Sequence, residues 1–339
     1  MKGCSMAFDL ENVSLLVSCY NKSSDFIKFQ SNALGFIQAK AEICIIDDGS
    51  TDESRILLEG FAKSNKKIVF SSRPNRGSGT TRNDLINLAS RKYLVFLDMD
   101  DEIEIQGVVD SIKFLEKENA DIAVSNYFNI TSDTKGKMPL FVNEACVVEI
   151  EDISEGIWES LGFWRYVYRK DYLTREDISF FPTNLETRGR YFIFDDMFFL
   201  SQLAASKGRA VVMPSTEIIY QYYAPVFDKL AQKKFRTQLE YVPKFALEYL
   251  KKNKRNRGFI PDKSLVFVTH YVHFAASNLY INKSIQSLPV LLNYAFRENA
   301  TGHNYLAKLN WVMQALINSY RSTKRAIRKA IHKTLLSIF

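Results

Sequence analysis

Apolar residues in the first 125 positions gather into short, nearly continuous runs at Val13–Cys19, Glu42–Ile46, Ile68–Ser71, Tyr93–Leu97 and Ile122–Ser125. Runs of this length between polar clusters read as strands, and their near-continuous apolar character suits a sheet covered on both faces. Between them, Ser24–Gly35, Asp52–Ser64, Thr81–Ala89 and Gln106–Lys117 carry helical periodicity. Ser50-x-x-Glu53 reads as a capping box that opens the second helix. Alternating strands and helices predict an α/β fold with a mainly parallel sheet and helices on both faces.

The regularity weakens after Asn126. Thr131–Met138 is polar and reads as a loop, and the stretch 158–223 mixes aromatic and charged residues as a substrate-facing region does. Short strands are expected at Ala210–Met213 and at 218–222. Past Pro225 the pattern turns helical, at 229–251, 265–281, 289–297 and 305–336. The expected division is therefore an α/β catalytic domain over 1–225 and a helical C-terminal region over 226–339.

Hydrophobic residues make up 46% of the chain and charged residues 24%, which supports a sizeable core and argues against global disorder. Cys4, Cys19, Cys44 and Cys146 show no C-x-x-C pair and no zinc spacing, so they read as reduced core thiols. The net charge is +7, and six Lys/Arg residues between Arg321 and Lys333 account for all but one unit of it. In the last helix Leu316, Tyr320, Ile327, Ile331, Leu335 and Ile338 fall near one face, with Lys324, Arg325, Arg328, Lys329 and Lys333 largely on the other. Such a basic amphipathic helix suits an anionic membrane surface, at about 1 kcal/mol per basic residue. A packing helix, or a contact between copies in a homo-oligomer, is the other use of that face. No nucleic-acid-binding module accompanies it, so nucleic acid is not an expected partner. With no signal pattern at the start and no apolar run of spanning length, the expected location is cytoplasmic, peripheral on the inner face of the membrane.

Three strand ends carry polar clusters: Ser18-Cys19-Tyr20-Asn21, Asp47-Asp48-Gly49-Ser50-Thr51-Asp52 and Asp98-Met99-Asp100-Asp101. Ligands of open parallel sheets sit beyond the carboxyl ends of the strands. Carboxylates one residue apart at such an end repel one another unless a cation intervenes. A hard divalent ion suits those oxygens and leaves places for a diphosphate. Loop or helix capping is the plainer use of the same acids. Arg73–Asn83, with two glycines and a helix start, offers donors to phosphate, although the spacing is not the G-x-G-x-x-G of dinucleotide sites.

These blocks, in this order, resemble glycosyltransferase family 2, whose members share the GT-A fold. Val13–Asn21 resembles its opening strand with an aromatic-Asn turn. Ile45–Asp52 matches Asp-Asp-Gly-Ser-x-Asp, Asn75–Asn83 matches the Asn-x-Gly segment leading to Arg-Asn, and Phe96–Asp101 matches aromatic-Leu-Asp-x-Asp-Asp. The resemblance implies that Tyr20 lies against the nucleotide base and that Asp48 or Asp47 accepts from its edge. It places Arg82 near the diphosphate, Asp98 at the ribose or a metal-bound water, and Asp100 as a direct ligand of Mn2+ or Mg2+.

Further on, Phe194–Phe199 resembles the family's later acidic pair, with Asp195 in place of Glu. Asp196 is then the general base for an acceptor hydroxyl, with inversion at the anomeric carbon, and Asp195 raises the pKa of the pair by like-charge repulsion. Trp164 resembles the family's acceptor platform, and aromatic core is its plainer use. The Gln-x-x-Arg-Trp motif of processive members is absent. The implied activity is transfer of one hexosyl or N-acetylhexosaminyl residue from a UDP-sugar to a glycan or lipid-linked acceptor in cell-surface polysaccharide synthesis. A nucleotidyltransferase and an inactive nucleotide-binding membrane scaffold are the alternatives.

Overall fold

A computed structural model describes residues 9–130, 135–138, 144–150, 152–153, 162–180 and 195–219. The helical C-terminal region expected over 226–339, its basic amphipathic end included, lies outside the described residues, as do residues 220–225. The first half follows the alternation read from the sequence. It runs β1 (Val13–Cys19), α1 (Phe26–Gln38), β2 (Glu42–Asp47), α2 (Ser54–Lys63), β3 (Ile68–Ser72), α3 (Ser78–Leu88), β4 (Tyr93–Asp98), α4 (Ile105–Glu118) and β5 (Ile122–Ile130). The second half is shorter-stranded. It has β6 (Lys135–Met138), β7 (Cys146–Glu149), β8 (Tyr166–Arg169), α5 (Lys170–Arg175), α6 (Asp195–Ala205) and β9 (Arg209–Ile219).

These strands form one sheet in the order β3-β2-β1-β4-β8-β5-β9-β7, with β6 beside β5. The site-bearing half, β3-β2-β1-β4, is parallel throughout. Beyond β4 the sheet is mixed: β8 runs antiparallel to both β4 and β5, while β9 is parallel to β5. Two expectations change here. Part of the predicted polar loop over Thr131–Met138 is strand β6, and the two short strands predicted near 210 and 218 are one strand, β9, with a register shift opposite Ser125/Asn126.

Burial explains the patterns. β2 is buried along its whole length, and β1 and β4 are buried save one residue each, because helices cover both faces. Edge strand β3 alternates, since it has a partner on one side among the described residues. Helix α1 buries Phe26, Phe29, Ala33 and Phe36, a helical stripe turned to the sheet. A second, aromatic core lies under β4: Phe96, Phe163, Tyr168, Phe180 and Phe199 meet edge to face, except that Phe180 and Phe199 stack at 4.0 Å.

Candidate active site at the strand switch point

After β1 the chain steps to β2 and β3 on one side, then crosses to place β4 on the other side of β1. Such a reversal opens a crevice at the carboxyl ends of the two central strands. The register brings Cys19 level with Asp47 and Ser18 level with Asp98, so all three polar clusters arrive at one edge.

The first two loops are knitted together. Asn21 sits in the left-handed region at φ 53 and accepts from the Thr51 amide at 2.8 Å, while its own amide donates to Ser50 Oγ at 2.9 Å. That use of Ser50 excludes the predicted capping box: α2 starts at Ser54, whose amide donates to Asp52 Oδ1 at 3.0 Å. Asp52 also accepts from the Ser23 amide, and although burial works against its charge, these donors bring its carboxyl down to about 2. The stitched loops leave Tyr20 on the rim, 47% exposed.

Asp47 and Asp48 are buried, and both hold loops. Asp47 accepts from the Ser50 amide and the Ser72 hydroxyl. Asp48 accepts from the Arg76 amide at 2.9 Å and the Gly77 amide at 2.7 Å, with the Arg73 guanidinium 3.2 Å away. Gly49 makes this closure possible: its φ is +78, and a Cβ there would lie 2.6 Å from the Asn75 nitrogen. Asp48 thus shapes the Asn-x-Gly segment that the sequence reading assigned to phosphate. Gly77, at φ 91, precedes α3, which begins three residues before the predicted start at Thr81.

The third cluster is clamped by α1. Lys28 and Asn32, one turn apart, donate to the carbonyl oxygens of Asp100 (2.8 Å) and Asp101 (3.0 Å), and Asn32 Oδ1 accepts from the Ile103 amide. A turn further on, Gly35 gives Ile105 room to pack; a Cβ there would meet its Cδ1 at 2.6 Å. Lys22 pairs with Asp100 Oδ2 at 2.5 Å. Asp101 is buried; burial first, then the charges of Asp98 and Asp100, push its carboxyl up to about 8, with Lys28 and Lys22 pulling the other way.

Arg82 unites this turn with the later acidic pair. On α3 it donates to Asp98 Oδ1 at 3.2 Å and, through its other terminal nitrogen, to Asp195 Oδ2. Its guanidinium lies 4.4 Å from the Phe163 ring centroid. Burial opposes its charge, but Asp195, Asp98 and Asp196 outweigh burial and hold it above the usual arginine range. Next to it, Asn83 Oδ1 accepts from the Phe180 amide at 2.7 Å. Phe199, one turn along α6 from Asp195, stacks on Phe180 and so fixes where the acidic helix start lies. Asp195 is buried as the partner of Arg82, whereas Asp196 is half-buried.

What the sequence reading missed is that Arg82 ties Asp98 to Asp195, which lies 113 residues beyond Arg82 in the chain; no local signal carries that. Trp164 is half-buried, packs against the core and leans on Gly162, so core packing is at least part of its role. Among the described residues, no group of three or more His, Cys, Asp or Glu side chains forms a ready-made metal cage, and no helix is long and apolar enough to cross a membrane.

Comparison with known proteins agrees with this geometry. Residues 14–180 match the model of glycosyl transferase family 2. The glycosyltransferase GlyG of Streptococcus pneumoniae is 24% identical over 159 residues, covering 46% of this chain and 52% of that one. The poly-beta-1,6-N-acetyl-D-glucosamine synthase of Staphylococcus aureus is 36% identical over 92 residues, 27% of this chain and 22% of its own. The chain thus spans at most about half the length of these curated relatives. Structures of S. aureus TarS 1–349 superpose with TM-scores of 0.54 (in complex with UDP-GlcNAc) and 0.57 (with UDP), at 17% identity; they cover 91% and 94% of this chain and 91% of their own. At that identity the likeness speaks for the fold, which is GT-A. The nucleotidyltransferase alternative gives way: residues 14–180 form a glycosyltransferase family 2 domain, and the chain is similar there to named glycosyltransferases.

Proposed function

We propose that the chain is an inverting transferase that moves a single sugar from a UDP-sugar to a hydroxyl of a glycan or lipid-linked acceptor in cell-surface polysaccharide synthesis. One observation carries the reading: a single guanidinium, that of Arg82, touches both Asp98 at the end of β4 and Asp195 at the start of α6. The donor-side acids and the later acidic pair therefore face one crevice. A UDP-sugar donor is favoured by the rim position of Tyr20 and by the UDP-GlcNAc bound to the TarS neighbour.

The donor set fits a divalent cation. Asp98 and Asp100 present hard oxygens two residues apart, each side chain about a third exposed. Each already pairs with a protein cation, which marks the turn as a place for positive charge. Asp100, with Asp98 beside it, would hold Mn2+ or Mg2+, the remaining positions going to diphosphate oxygens and water. When bound, such an ion neutralises the charge that develops on the departing diphosphate.

The chain's own residues do the rest. Tyr20 supports the base, and the loop shaped by Asp48 offers the Arg73–Gly77 segment to the nucleotide. Asp196 takes the proton of the acceptor hydroxyl as its oxygen attacks the anomeric carbon opposite the diphosphate, a contribution of about 10²–10⁴-fold. Arg82 pairs with Asp195 and holds it in place, so that Asp196 is presented next to it. Trp164 serves as an aromatic platform for the acceptor sugar. The region 226–339, read from the sequence as helical with a basic amphipathic end, would bring the enzyme to the anionic inner face of the membrane.

The test is release of UDP from a panel of UDP-sugars with Mn2+ and an acceptor extract, for wild type, Asp100→Ala and Asp196→Asn. The reading expects Asp100→Ala to abolish sugar-dependent release and Asp196→Asn to lower it by about 10²–10⁴-fold. Full activity in Asp100→Ala refutes the metal role, and full activity in Asp196→Asn refutes the base.

A further inference from the structure

Lys22 has no part in the reaction as described, yet it makes one of the closest polar contacts at the site. Its backbone is pinned: the amides of Asn21, Lys22 and Ser23 donate to Ser50 Oγ, Ser54 Oγ and Asp52 Oδ2, at 2.9, 2.8 and 3.0 Å. From that fixed base the ammonium crosses the switch point to Asp100 Oδ2 at 2.5 Å, with Asp25 Oδ2 3.8 Å away. Asp100 is held equally firmly from behind, through its carbonyl, by Lys28 at 2.8 Å. Neither partner's backbone can withdraw to make room, so any change at this contact falls on the Lys22 stem, a chain of four carbons with many rotamers.

A metal ligated by Asp100 and the Lys22 ammonium seek the same carboxylate, and two cations on one oxygen repel. From this geometry we propose that Lys22 is the resident counter-ion of Asp100 and gates cation entry, so that a divalent ion binds weakly alone and firmly with a nucleoside diphosphate. A bare cation must displace the ammonium from its close partner and leave it only the more distant Asp25, 3.8 Å away. When a diphosphate arrives with the cation, its oxygens supply the displaced ammonium with a new partner within reach of the same loop. Donor and metal then enter as one unit, and the acidic turn stays neutralised between turnovers. This inference rests on the reading of Asp100 as a cation ligand.

The experiment follows free Mn2+ by its electron paramagnetic resonance signal, with and without saturating UDP, for wild type, Lys22→Met, Lys22→Arg and Asp100→Asn. Without UDP, Lys22→Met is expected to bind Mn2+ about twofold to fivefold more tightly than wild type, the range set by a partly exposed ion pair. Lys22→Arg, which keeps the charge, is expected to stay near wild type. With UDP the advantage of Lys22→Met is expected to vanish or reverse. Unchanged or weaker Mn2+ binding by Lys22→Met without UDP overturns the gating role, as does an advantage that persists with UDP. If Asp100→Asn loses Mn2+ while Lys22→Met shows no gain, Lys22 alone is misread. If Asp100→Asn binds Mn2+ with UDP as wild type does, the metal reading has failed and the gate falls with it.

Discussion

Strand β2 carries a carboxylate cluster at each end, and the two are built on opposite principles. At its first residue, Glu42 is buried and accepts from Ser14 Oγ at 2.5 Å, the Ser90 amide at 2.8 Å and Ser90 Oγ at 2.6 Å, with Cys44 Sγ at 3.5 Å. These are neutral donors, supplied by β1, β2 and the α3–β4 turn. At the far end, beyond Asp47, the crevice gathers Asp98, Asp100, Asp101, Asp195 and Asp196 and meets them with charges: Arg82, Lys22 and Lys28. The Glu42 cluster is complete without any ligand and ties three segments together. The other holds mutually repelling acids whose partners sit on separate elements, which the proposed cation and diphosphate would rearrange. A buried acid with a full set of neutral donors holds the fold, whereas acids that share cations across elements mark the chemistry.

That contrast can be broken by substitution, and the largest effect belongs to the crevice. Asp196→Asn is expected to lower kcat by about 10²–10⁴-fold while UDP affinity, measured by calorimetry, stays near wild type. Equal losses in both would show that Asp196 serves binding instead. Arg82→Met comes next, since it strands a buried carboxylate: a stability loss of about 3 kcal/mol or more is expected in urea titrations, together with loss of activity. Arg82→Lys restores charge without the fork of donors and should recover stability only in part.

Glu42→Gln should behave in the opposite way, losing about 1–3 kcal/mol with kcat unchanged at a temperature where it is folded. Its pH dependence sharpens the point. Burial raises the Glu42 carboxyl, but the bonds from Ser14 and Ser90 outweigh burial and hold it below its ordinary value. A depressed folded pKa gives stability that is fully present above the ordinary carboxylate range and lost as pH falls through the folded value. The variant should therefore show a shallower acid limb in its stability curve; an identical limb would contradict the role. The smallest pair compares two glycines. Gly49→Ala forces a left-handed φ and a clash with backbone, and should lose about 1–3 kcal/mol. Gly35→Ala meets only the end of the Ile105 side chain and should lose less than about 1 kcal/mol, by the same urea titration.

The two ends also differ in how far the sequence discloses them. The acidic turns and the strands β1 to β4 are local patterns, and the structure places them within a residue or so of their expected bounds. Helix α3 starts early because Gly77, not Thr81, supplies the turn into it. Strands β6, β7 and β8 escaped notice because each is four residues long, too short for periodicity to register. Ser50 misled because its hydroxyl serves a neighbouring loop rather than its own helix. The Glu42 cluster and the Arg82–Asp195 tie are formed by partners distant in the chain, so neither leaves a spacing signature. The division at 225 and the basic helix at the end remain sequence readings.

The central claim is that Asp100 and Asp98 hold a cation against a nucleoside diphosphate in the crevice that Asp196 faces. The most direct measurement is anomalous scattering at the manganese edge from crystals grown with UDP and Mn2+. The account predicts a single strong peak at ordinary oxygen-ligand distance from Asp100, about 2–2.6 Å, touching the diphosphate, with the Lys22 ammonium moved off the carboxylate. A diphosphate bound in the crevice with no manganese beside Asp100 and the Lys22–Asp100 pair intact would contradict it.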